Sequence, residues 1–99
     1  MTAINDRNVW TFSANGTGDT FVAYPNKPMQ FVVNGTLGGG TVTLNSKVSG
    51  GSDWVEVGNL SAVGVLDGRI FAGHGESFQV VVSGATTPTI TAILEEVAT

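Results

Sequence analysis

From Thr41 onward the chain alternates, with Val42, Leu44 and Val48 on one side and Thr41, Thr43, Asn45 and Lys47 on the other. A period of two marks a strand with one buried and one wet face. Ser49-Gly50-Gly51-Ser52 follows and supplies residues that tolerate the positive φ of a hairpin reversal. Asp53 to Val57 returns with Trp54, a side chain large enough to cap a core. The stretch from Gly38 to Val57 is therefore expected to be a hairpin around which the rest of the chain is organised.

The same alternation recurs on both sides of it. Asn8 to Ser13 places Trp10 and Phe12 on one face, Thr20 to Tyr24 is a short second strand, and Met29 to Asn34 a third. Pro25 and Pro28 close the second, and prolines so placed predict a corner or an edge rather than a central ladder. Ala14 to Asp19 and Gly35 to Gly40 read as a turn and a glycine-rich loop. Asn59 to Leu66 fits either a short strand or a crossing loop, Asp67-Gly68 is a two-residue hairpin signal, and Arg69 to Ala72 continues as a strand. Glu76 to Ser83 sets Phe78, Val80 and Val82 on one face. After a turn from Gly84 to Pro88, Thr89 to Glu95 sets Ile90, Ala92 and Leu94 against Thr89, Thr91 and Ile93. No stretch of ten residues carries a helical period. Seven to eight short strands predict an all-β fold, a single antiparallel β-sandwich of jelly-roll-like type covering residues 1–99, with 1–7 as a flexible polar arm.

Composition changes this picture mainly at the surface. Only 12% of the 99 residues are charged, against about 25% in ordinary globular chains. Thr, Ser, Asn and Gly fill 40 positions instead, so the wet faces are neutral and small. Such a surface loses little side-chain entropy when it packs against another protein. The net charge of −4 and four scattered basic residues, Arg7, Lys27, Lys47 and Arg69, argue against binding nucleic acid or anionic lipid. No apolar run is long enough for a membrane-spanning helix, and the N-terminus lacks the basic and apolar regions of a secretory signal. The absence of cysteine removes disulfide and thiol chemistry and fits folding without an oxidising compartment.

Candidate chemistry is sparse. His74, the one histidine, sits between glycines with Glu76 as its local partner, which fits an exposed turn better than a general base or metal ligand. Asp19, Asp53 and Asp67 lie at glycine turns, where aspartate is selected locally, and no calcium-loop spacing accompanies them. GTLGGG lacks the Lys-Ser/Thr of a phosphate loop, and no serine sits in a nucleophile elbow. No catalytic, cofactor or metal residues are expected, and an enzyme is the least supported class. Trp10, Phe12 and Tyr24 are the candidate partner-binding residues, because a terminal strand next to a polar arm can add to a neighbour's sheet.

Two segments, Gly39 to Val57 and Phe78 to Leu94, carry a family resemblance over a little over a third of the chain. GGTVTL leading through SGGS to a Trp-bearing strand, followed later by FQVVVSGATTPTITAIL, resembles small virion proteins of tailed bacteriophages. The resemblance implies a non-enzymatic structural protein, foremost a head decoration (cement) protein. It would be assembled in the host cytoplasm and sit on the capsid surface of the virion. Its partners would be the major capsid protein or another virion protein, and copies of itself as a dimer or trimer. The alternatives are a head-fibre, tail or baseplate module, or a receptor- or carbohydrate-binding β-sandwich in which Trp10, Trp54 or Tyr24 stacks on sugar rings.

Overall fold

The computed structural model describes residues 7–22, 28–48, 50–66, 70–71 and 76–96. Every element among them is a strand: β1 (Arg7–Phe12), β2 (Gly16–Thr17), β3 (Phe21–Val22), β4 (Pro28–Thr36), β5 (Thr41–Lys47), β6 (Val55–Leu60), β7 (Gly64–Val65), β8 (Ile70–Phe71), β9 (Ser77–Ser83) and β10 (Thr89–Glu96). They form two antiparallel sheets packed as a sandwich. One has the order β1-β10-β4-β7 with β8 also on β4, and the other β2-β9-β5-β6 with β3 also on β9.

The pairing is nested. Val42 faces Leu60, Val32 faces Val65, Met29 faces Ile70, Phe21 faces Phe78, and Arg7 faces Glu95. Partners thus lie nearly symmetrically about residue 50, inside the glycine turn that the sequence marks as the organising centre. The doubled chain is then wound so that β10 lies along β4 and β9 along β5, and these two long ladders form the middle of each sheet.

The core follows from the alternation. Val42 and Leu44 of β5, Phe78, Val80 and Val82 of β9, and Ile90, Ala92 and Leu94 of β10 all point inward and are buried, together with Met29, Phe31 and Val33 of β4. Their outward neighbours Thr41, Thr43, Thr91 and Ile93 stay partly exposed. No polar or charged residue is buried among the described residues, so hydrophobic burial is the main favourable term.

Gly35 shows why β4 needs glycine inside its ladder. Its φ is +104°, and a Cβ there would land on the backbone oxygen of Thr89 across the β4–β10 pair. The end of the sandwich beside it is knitted from three loops. Asn15 donates from Nδ2 to the Ala85 carbonyl at 3.0 Å and accepts from the Ala85 N–H at 2.8 Å, while the Thr86 N–H donates to Gly38 O at 2.9 Å. In the same loop Thr87 has φ +44°, uncommon for a β-branched residue, just before the buried Pro88.

Several expectations need correction. Val48 lies beyond the end of β5 and is 65% exposed, so the inward row of β5 stops short of it. Trp54 precedes β6 and is only half-buried; its ring lies beneath Lys47 Nζ, 5.0 Å from the centroid, and does not cap the core. Pro28 opens β4, a central strand, at the one position where a missing N–H is tolerated there. Gly35 and Thr36 extend that strand into the expected loop, and Gly16–Thr17 forms a short strand within the expected turn. Ten strands lie among the described residues, four of them only two residues long. The expected arm over residues 1–7 is corrected at Arg7, which opens β1 in register with Glu95; its residues 1–6, the Asp67-Gly68 turn and His74 lie outside the described residues.

Candidate interaction surface

The candidate surface is the lateral side of the sandwich where β1 and β2 form the sheet edges. The chain leaves β1 in one sheet, turns at Ser13 to Asn15, and enters β2 in the other. A concavity of about 520 Å³ opens along this side, lined by residues 8–20 alone. Most of its wall is polar, with Asn8, Thr11, Asn15, Thr17 and Asp19 among its lining residues beside the apolar Val9 and Phe12.

Trp10 lies along that opening but offers it almost no surface. It is 5% exposed and belongs to the core, because β1 turns its even-numbered residues inward. Its indole Nε1 donates to the Asp19 carbonyl at 2.7 Å, and its ring meets Phe21 edge-on at 6.3 Å between centroids. Gly18 closes over it so tightly that an added Cβ would strike the indole. The expectation that Trp10 offers its ring to a partner is therefore corrected: the polar terminal segment drew attention to it, but the alternation with Asn8 and Phe12 is that of a core-facing strand. Phe12 is half-buried and packs on the same core. Tyr24 lies outside the described residues. What β1 does present outward is Arg7, Val9 and Thr11.

Charge on this side is slight. Arg7 Nε and Glu95 Oε2 pair at 3.1 Å, both well exposed, so the pair orients the strand end more than it stabilises the fold. Asp19 and Asp53 are exposed at their turns, as their sequence context implies. Among the described residues no three His, Cys, Asp or Glu side chains come together as metal ligands would.

The opposite side, built from β6 and β7, has a different character. Val48, Val55, Val57, Val63 and Val65 are exposed there, and Leu66 packs over Gly58 to join the two edges. β6 is irregular: its register with β5 shifts between Leu44 and Asn45, leaving Val57 as an extra residue. Nothing in the sequence marked this row of valines, because valine in a strand reads as core until the covering sheet is known to stop short. Comparison of the chain with protein-family models, curated proteins and solved structures returned no match.

Proposed function

We propose that the protein is a non-enzymatic structural component of a bacteriophage virion, foremost a head decoration protein that docks on the outer capsid surface and braces neighbouring subunits. The observation that carries this reading is the nested strand order. A doubled chain wound into sheets β1-β10-β4-β7 and β2-β9-β5-β6 supports a jelly-roll reading of the sandwich, an architecture used by viral capsid and lectin domains. The phage-like cadence of GGTVTL and FQVVVSGATTPTITAIL points the same way. So does a surface on which small neutral side chains replace long charged ones, which suits repeated close packing.

In this role each copy contacts more than one capsid subunit, so expansion or rupture of the shell must also break the added contacts. The test is to add purified protein to mature capsids of the encoding phage that lack it, and to follow co-sedimentation and the temperature at which the capsids burst. Saturable binding with a raised bursting temperature is expected. No binding removes the decoration reading and leaves the fibre, tail or baseplate roles.

A second reading has one observation in its favour. Trp54 keeps part of its ring at the surface beneath Lys47, and an aromatic face beside a polar donor is what a sugar platform needs. On that reading a glycan titration quenches or shifts Trp54 emission while Trp10 stays silent. An emission unchanged across a broad glycan panel discards it.

A further inference from the structure

We propose that β1 is a self-association edge, and that two copies join by pairing β1 with β1 antiparallel about a two-fold axis, continuing one sheet across both molecules. This rests on the expected association of the chain with copies of itself, as the phage resemblance implies, and makes no use of capsid binding.

An unpaired strand edge presents a row of backbone donors and acceptors, and proteins blunt such edges with bulges, prolines, charges or short length. Among the described residues, β2, β3, β7 and β8 are two residues long, and β6 carries a bulge and Glu56, which accepts from Asn59 Nδ2 at 2.8 Å. β1 has none of these protections. It runs six residues in unbroken register with β10, from Arg7 opposite Glu95 to Phe12 opposite Ile90. Its one charge, Arg7, sits at the strand's end and is engaged by Glu95. The largely polar concavity beside it suits an incoming strand, whose backbone needs hydrogen-bond partners more than apolar contact.

A second β1 fits this edge because the strand is self-complementary. Residues directly opposite in an antiparallel pair share a face. Centring the two-fold on Val9 sets Val9 against Val9 and Arg7 against Thr11 twice, all on the outer face. Val9, 39% exposed in the single chain, is then covered by its own counterpart. The two arginines fall at opposite ends, so no like charges meet, and β1 carries no carboxylate to repel its copy. The contact is isologous and closes at two copies.

Light scattering of the full chain over a concentration series tests this. The mass is expected to rise from the 10.2 kDa of one chain to twice that value. Val9→Lys and Val9→Glu each put like charges across the axis and should raise the dissociation constant about tenfold or more. An equimolar mixture of the two restores the dimer, because unlike charges then meet. Should either variant melt early, Thr11→Glu gives an independent reading, since it faces Arg7 twice and tightens the dimer. Val57→Lys on the opposite edge leaves the mass unchanged. A wild-type mass that stays at one chain overturns the proposal, as does a dimer indifferent to Val9→Lys or a mixture that stays monomeric. Capsid binding is measured separately, so a dimer that ignores capsids sinks the decoration reading and leaves this one standing.

Discussion

A Leu44→Asp chain is expected to show no cooperative melting transition at all. Leu44 is fully buried at the middle of β5, between Val80 of β9 and Gly58 of β6. Deleting its side chain alone costs about 2–5 kcal/mol, as for other buried leucines. A carboxylate in its place also loses its hydration, and no buried polar residue among the described ones could receive it. Together these approach the ~5–15 kcal/mol by which a typical domain is stable. The matched control is Thr43→Asp, one residue away on the outward face, which should melt within a few degrees of the parent. Circular dichroism on heating separates the two. A normal transition for Leu44→Asp means that the inward face of β5 has been assigned to the wrong residues.

Trp10→Ala is the second large effect, expected to remove about 3–5 kcal/mol of stability in urea titration. The indole fills the corner where β1 and β3 meet, edge-on to Phe21 and beneath Gly18. Its loss leaves a cavity and strips the Asp19 carbonyl of a donor. Trp10→Phe keeps most of the volume and should recover more than half of the loss. A Trp10→Ala chain as stable as its parent returns the indole to the surface and revives it as a docking residue.

These two residues show what was legible in advance. The inward row of β5 follows from alternation alone, as do those of β9 and β10, because strand period is a local property. The reversal near residue 50 is also local, written in SGGS. The faces fail where the answer depends on what lies opposite. Val48 alternates correctly but falls past the end of β5, where it is left uncovered. The bulge at Val57 breaks the period on which any extrapolation through β6 relies. Trp10 differs for the opposite reason: a terminal strand beside a polar arm points to docking on a neighbour's sheet, whereas pairing with the far end of the chain turns Trp10 into the protein's own core. The two-residue strands carry no periodicity, so only tertiary pairing reveals them. The candidate surface was legible as a strand near the terminus, but its regular, unprotected edge emerged only from the register.

The nesting about residue 50 also gives folding a direction. In a sandwich whose pairings are mostly distant in sequence, each ladder ordinarily has to close a long loop afresh. Here the β5–β6 hairpin closes the shortest loop, and each outer pair then closes a loop already shortened by the pair inside it. The chain can zip outward from Gly50, and the strand that pairs last, β1 with β10, is the one whose far side no other described strand covers. While β1 is still unpaired, its own copy in another molecule competes with β10 for the same backbone groups. The edge that would join two finished molecules is thus the edge at which two unfinished ones would exchange strands.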